Sequence, residues 1–114
     1  MATTKSFIWI TTSFEGFHKY PMAPKGVEFL RNLHRHIFHV RVSISVTHND
    51  REIEFILFKQ YINQIIKDNN LQVNASCEMM CDLLYESIHK KYPKREIRIE
   101  VSEDEENGAY KEYS

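Results

Sequence analysis

The stretch HRHIFHVRVSISVT, residues 34–47, decides the fold. Its even positions carry two histidines followed by apolar residues, whereas its odd positions are mostly polar or charged. Strict alternation of this kind is typical of a β-strand that is buried on one face only. We therefore predict a half-buried strand over residues 34–47, with His34 and His36 on the same side.

Three more strands are predicted outside this stretch. β-Branched and aromatic residues predict a first strand over residues 6–14, and alternation predicts a third strand over residues 96–103. A short fourth strand follows over residues 108–113, after an acidic turn. Residues 19–32 include two prolines and a glycine, which break both periodicities, so this segment is predicted to be mostly loop.

Two helices are predicted between the second and third strands. Apolar residues at helical spacing predict the first over residues 55–66, ended by a polar segment over residues 67–70. The second begins at a cap supplied by Asn74 or Ser76 and stops at Tyr92 and Pro93. The order of elements predicts an α+β fold, a four-stranded antiparallel sheet with two helices on one face.

Length and composition indicate one soluble domain over residues 1–114. The chain is 42% hydrophobic and has a net charge of -1, so no general attraction for nucleic acid or membrane surfaces is expected. No apolar run reaches the roughly 18 residues of a membrane span, and no secretory-signal pattern opens the chain. Cys77 and Cys81, four apart in a predicted helix, suit a reduced compartment. We expect a cytoplasmic protein without nucleic-acid or membrane partners.

Three histidines form a candidate metal site. His34 and His36 present two nitrogens on one strand face, and His18 lies shortly after the first predicted strand. Three protein nitrogens with an open position are typical of catalytic zinc, whereas structural zinc has four protein ligands, usually with cysteine. The alternative is a set of unrelated surface histidines, because short patterns arise by chance in a chain with 6 histidines.

The order of elements and these motifs together resemble the 6-pyruvoyl-tetrahydropterin synthase and 6-carboxy-tetrahydropterin synthase family of the tunnelling fold. The zinc pattern of that family is a histidine closing the first strand, here FEGFH at residues 14–18, and Leu-His-x-His, here LHRH at residues 33–36. The resemblance implies Zn²⁺ bound by His18, His34 and His36. It also implies that Glu103 anchors a pterin or purine-like ring; the alternative for Glu103 is a solvated acidic turn over residues 103–106.

Two catalytic features of the family are absent from this sequence. Active members have a cysteine four residues before the first histidine of Leu-His-x-His, where this chain has Leu30. They also have a Leu-Asp-His segment between the helices, whereas residues 65–71 contain no histidine. Weak candidates to replace these groups are His48, which precedes carboxylates at residues 50 and 52, and Cys77, whose place at a helix start favours a lowered thiol pKa. Packing in the apolar stripe is the alternative for Cys77.

Two residues near the histidines have open roles. His39 lies on the strand face opposite His34 and His36, so an interface or solvated histidine is expected rather than a fourth ligand. Glu15, close to the end of the first strand, is a candidate acceptor for an imidazole N–H.

The sequence leaves two functions open. One is a zinc-dependent enzyme, by resemblance a carbon–oxygen lyase of pterin metabolism, acting on a pterin or deazaguanine-precursor compound with a non-standard acid/base set. The other is a catalytically inactive protein that binds or sequesters a purine- or pterin-like nucleotide. The resemblance also implies that the sheets join edge to edge into a closed β-barrel, as a trimer or hexamer, and the free sheet edges expected of such a unit agree with that assembly.

Overall fold

The strand predicted over residues 34–47 forms the second of four strands in one sheet. In the computed structural model, which describes residues 2–70 and 75–114, the strands are β1 (Ser6–His18), β2 (His34–Val46), β3 (Ile97–Glu103) and β4 (Asn107–Tyr113). They lie in the order β1-β2-β3-β4, and each is antiparallel to its neighbour. The predicted α+β fold with a four-stranded antiparallel sheet is confirmed.

The two helices are α1 (Phe55–Asn69) and α2 (Cys77–Lys91). The first extends three residues beyond the predicted end at 66 and stops where Asn70 takes the left-handed conformation, with φ 45°. The second is capped by Ser76, whose hydroxyl accepts a hydrogen bond from the Met79 N–H at 3.1 Å. Asn74, the other predicted cap, lies outside the described residues. Among the described residues, no helix is long and apolar enough to cross a bilayer.

Both helices pack against the same face of the sheet. The inward positions alternate along β2 and β3, as the hydrophobic pattern predicts, and meet the apolar stripes of the helices in one core. Its fully buried members come from all of these elements: Phe38, Val40, Val42, Ile44, Phe58, Ile62, Met80, Cys81, Leu84, Ile88, Ile97, Ile99 and Val101. This core fixes which face of each strand points inward, and hence which face carries the histidines.

Strand β1 is longer than predicted. It continues past residue 14 to His18, because it pairs with β2 without interruption from Ser6↔Val46 to His18↔His34. Residues 19–33 then connect the two strands, with a short 3₁₀ helix at Glu28–Arg31. The Arg31 guanidinium donates hydrogen bonds of 3.0 and 2.7 Å to the Ala23 carbonyl. These bonds link the two halves of the connecting segment.

The opposite face of the sheet is not covered by either helix. Trp9 on β1 is 52% exposed there, and the Arg41 guanidinium lies 4.1 Å from the centroid of its ring. This polar and aromatic face contrasts with the apolar core face of the same strands.

Candidate metal centre

The β1–β2 register brings the three predicted histidines together. His18 is directly opposite His34, and His36 lies two residues further along β2 on the same face. The ring centroids are 4.4 Å apart for His18 and His34, 5.2 Å for His18 and His36, and 5.0 Å for His34 and His36. Each histidine offers a nitrogen, and these nitrogens lie within 4.8 Å of one another. The three side chains could hold one metal ion.

The cluster lies where the hydrophobic core ends. His18 is only 8% exposed, and its ring packs edge-on against Phe38, with centroids 5.2 Å apart. Phe38 is the next inward residue of β2 after His36 and is fully buried. The core therefore forms one apolar wall of the site, which limits the access of water from that side.

Each imidazole is held by a hydrogen bond at Nδ1. For His18 the partner is the carbonyl of Ala75, at 3.1 Å, and for His34 it is the carbonyl of Asn32, at 2.8 Å. A carbonyl oxygen can only accept, so Nδ1 carries the proton in both rings. The Nδ1 of His36 lies 2.8 Å from Oδ2 of Asp104, and the hydrogen bond with His36 lowers the pKa of that carboxyl, which marks it as an ionised acceptor. In the neutral form of each ring, Nε2 then keeps a lone pair, as metal ligation requires.

Two of the three Nε2 atoms are buried. The Nε2 atoms of His18 and His36 have no hydrogen-bond partner among the described residues. Oxygens of Glu103 do lie 3.3 Å from His18 Nε2 and 3.5 Å from His36 Nε2, but neither contact is aligned as a hydrogen bond. A buried polar atom without a partner is costly, and a bound cation would satisfy both nitrogens.

Asp104 was not predicted from sequence. It lies in the turn between β3 and β4, within the acidic segment 103–106, whose composition alone predicts a solvent-exposed turn. In the structure, its Oδ1 accepts the Ile37 N–H at 2.9 Å while its Oδ2 faces His36. This contact depends on the register of β3 against β2, which places Phe38 opposite Glu103 and has no signature in the sequence.

Two other candidates bind different partners. Glu15 pairs with Arg35, with 2.8 Å between Oε1 and Nε, and not with an imidazole. His39 lies on the opposite sheet face, as predicted, where its Nδ1 is 3.2 Å from Glu105. Neither side chain belongs to the histidine cluster.

His48 lies far from the cluster within one chain. It follows the end of β2, whereas the three histidines lie at the other end of the β1–β2 ladder. Twelve residue steps along a strand separate these ends by roughly 40 Å. The predicted contact with a carboxylate is present, since Nε2 of His48 lies 3.8 Å from Glu52, but it cannot serve the histidine site of the same subunit.

Cys77 is a packing residue in the structure. Its side chain is buried, and burial raises the pKa of the thiol to about 12, with the negative charge of Glu103 as a further cause. The hypothesis of a lowered pKa at the start of α2 is therefore wrong, because loss of solvent outweighs the favourable helix terminus.

No protein-family model and no curated protein matches this chain. The family resemblance noted in the sequence thus rests on the histidine and glutamate motifs and on the order of elements.

Proposed function

We propose that the chain binds zinc through Nε2 of His18, His34 and His36. The observation that carries this proposal is the cluster of three histidine nitrogens within 4.8 Å of one another, together with an acceptor at each Nδ1 that leaves Nε2 for the metal in the neutral ring. Nitrogen donors in this number suit zinc better than hard cations such as Mg²⁺ or Ca²⁺, which prefer oxygen. When bound, zinc would act as a Lewis acid toward a carbonyl or hydroxyl group of a ligand.

The proposed ligand is a pterin or a purine-like ring. Glu103 supports this, because its carboxylate lies beside the histidines and its side chain is 23% exposed, so a ligand can reach it. A carboxylate accepts two hydrogen bonds from the adjacent ring N–H and amino groups of such a ring, which selects against rings that lack these donors. We therefore propose a zinc-dependent protein similar to 6-pyruvoyl- and 6-carboxy-tetrahydropterin synthases, with a non-standard acid/base set.

A second candidate is a protein that holds such a ring without turnover. It is favoured by Leu30 at the position where the family has its cysteine and by the raised pKa of Cys77, which removes the nearby thiol as an ionised group at neutral pH.

Metal analysis of purified protein tests the zinc site. We expect about one zinc per chain in the wild type and much less in His34→Ala or His36→Ala, because each variant loses one imidazole ligand. His39→Ala is the matched control, since it removes a histidine from the same strand but from the opposite face, and it should retain the metal. Stoichiometric zinc in both site variants would disprove the assignment.

Turnover separates the two candidate functions. We expect conversion of dihydroneopterin triphosphate to be absent or very slow, because loss of one acid/base group costs ~10²- to 10⁴-fold in rate and two are missing. Native mass spectrometry of the same sample identifies any pterin or purine that co-purifies. Turnover at about 1 to 10³ s⁻¹ would instead favour the enzyme and require a different acid/base set.

A further inference from the structure

The end of β3 brings a fourth potential ligand to the histidines. Glu103 is the last residue of β3 and pairs with Phe38 on β2. Phe38 is the next inward-facing residue of β2 after His36. Its Oε1 lies 3.3 Å from His18 Nε2, and its Oε2 lies 3.5 Å from His36 Nε2. One carboxylate therefore faces two of the three nitrogens that are proposed to bind the metal.

Hydrogen bonding does not explain this contact. The Ala75 carbonyl keeps a His18 proton on Nδ1, so in the neutral ring the Nε2 atom that faces Glu103 carries a lone pair. The carboxylate offers only lone pairs in return, and the contacts are not aligned for hydrogen bonds. A carboxylate and an imidazole nitrogen this close share either a proton, as an ion pair, or a metal ion, and the poor hydrogen-bond alignment favours the metal ion.

The distances from Glu103 to two of the three imidazoles fit a common coordination sphere. Zinc ligands lie about 2.0–2.2 Å from the ion, so neighbouring ligand atoms in a tetrahedron are about 3.4 Å apart. The observed separations of 3.3 and 3.5 Å between Glu103 oxygens and the two imidazole nitrogens agree with this value.

The backbone holds the carboxylate in place. Next to Glu103, the Asp104 N–H donates to the Ile37 carbonyl at 2.8 Å, and the Asp104 side chain accepts the Ile37 N–H in return. The Glu106 N–H donates to the Glu103 carbonyl at 3.0 Å. The turn is thus fixed to β2, which leaves little conformational cost for Glu103 to act as a ligand.

We propose that Glu103 is the fourth protein ligand of the metal in the ligand-free protein, giving a closed centre of three histidines and one glutamate. This inference rests on the zinc site proposed above and adds a second role for Glu103. The same carboxylate cannot offer both oxygens to a ring while it binds the metal, so a ring ligand has to displace it.

Cobalt substitution tests this directly. Co²⁺ replaces zinc in the wild type, Glu103→Gln and the control Glu106→Gln, which alters a neighbouring carboxylate of the same turn. We expect the visible absorption of Co²⁺ to change in Glu103→Gln alone, and its zinc affinity, measured against a chromophoric chelator, to fall about tenfold or more. Azide should alter the Co²⁺ spectrum of Glu103→Gln at a concentration about tenfold lower than that required for the wild type, because the wild-type position is filled.

The outcomes distinguish the two proposals. If Glu103→Gln matches the wild type in spectrum, zinc affinity and azide response, Glu103 is not a ligand. A stoichiometry of about one metal per chain in that variant would still support the three-histidine site. If the wild type binds no stoichiometric metal, the histidine site itself is wrong. Azide titration of the wild type decides the question even where a variant does not fold: a response as strong as that of an open three-histidine centre overturns the inference.

Discussion

Asp104 shows how a single side chain can connect a proposed metal ligand, His36, to a neighbouring strand. One of its oxygens faces Nδ1 of His36, and the other accepts the Ile37 N–H. The residue also has φ 55°, a left-handed conformation that aspartate and asparagine tolerate better than most side chains. Orientation of a ligating imidazole by a carboxylate is a common determinant of metal affinity.

Asp104→Asn should weaken metal binding while leaving the turn intact. Asparagine keeps the left-handed preference but has one acceptor oxygen, so either the His36 or the Ile37 hydrogen bond is lost. We expect the dissociation constant for zinc to rise about 10- to 100-fold. Competition with a chromophoric chelator measures the change.

Asp68→Asn provides the matched control for this substitution. Asp68 lies at the end of α1 and accepts a hydrogen bond from Gln64, which an amide oxygen can still accept. An equal loss of zinc affinity in both variants would show that Asp104 has no specific role in metal binding.

At this scale, the sequence predicts which histidines lie together better than it predicts the groups that hold them in place. Alternation along β2 is enough to put His34 and His36 on one face, and a histidine after the first strand completes the set. The Ala75 carbonyl and Asp104 reach these rings only through the approach of α2 and the register of β3. Such contacts between distant segments leave no periodic pattern in the sequence.

At the level of elements, the start of α2 contributes to the proposed metal centre. Ser76 caps the helix, and the carbonyl of the preceding residue, Ala75, receives the His18 N–H. The sequence predicts the helix and two candidate capping residues, Asn74 and Ser76. The apolar stripe of the helix does not distinguish between these two candidates. The structure assigns the cap to Ser76 because its hydroxyl reaches the Met79 N–H.

Ser76→Ala should reduce the free energy of unfolding by about 1 kcal/mol, because the Met79 N–H loses its acceptor. Urea denaturation followed by circular dichroism measures this loss. Ser87→Ala is the control: it makes the same change inside α2, where alanine is the better helix former. A stability of Ser76→Ala equal to or above that of Ser87→Ala would contradict the capping role.

The whole molecule is more extended than a typical single domain of its length. Its radius of gyration is 15.6 Å, whereas about 13 Å is expected for a compact chain of this size. One sheet face carries exposed aromatic residues such as Trp9 and Tyr110, and β1 and β4 are edge strands. These features support the proposal that further copies of the chain cover the sheet edges.

Light scattering at micromolar concentration tests that assembly. We expect a trimer or a hexamer, because edge-to-edge pairing of β1 with β4 of another copy removes both free edges when the ring closes. The result should not depend on zinc if backbone pairing drives the association. A stable monomer would refute the proposed barrel.

Acid stability tests a contact that ties the end of β2 to the approach to β3. Glu52 accepts hydrogen bonds from the hydroxyl and N–H of Thr47 and contacts Arg95; the Thr47 hydroxyl is the largest cause that lowers the pKa of Glu52, to about 2. A lowered folded-state pKa stabilises the fold above the unfolded value of about 4.3, and this contribution is lost as pH falls toward 2.

Glu52→Gln should therefore be less stable than the wild type at pH 7, and the difference should shrink between about pH 4.3 and pH 2. Thermal melts across this range measure it. Glu112→Gln, which changes a carboxylate paired with Arg98 on the surface, should have a small effect throughout. A stability difference that is constant with pH would show that the charge of Glu52 is not involved.

The long β1–β2 ladder also makes the proposed metal centre a check on correct folding. A shift of one residue between the strands turns every side chain of the shifted strand to the other face, which would carry His18 away from His34 and His36. Misaligned molecules would then contain the same secondary structure but no intact site. Metal content per chain would report the fraction of a refolded sample that has reached the native alignment, a quantity to which circular dichroism is insensitive.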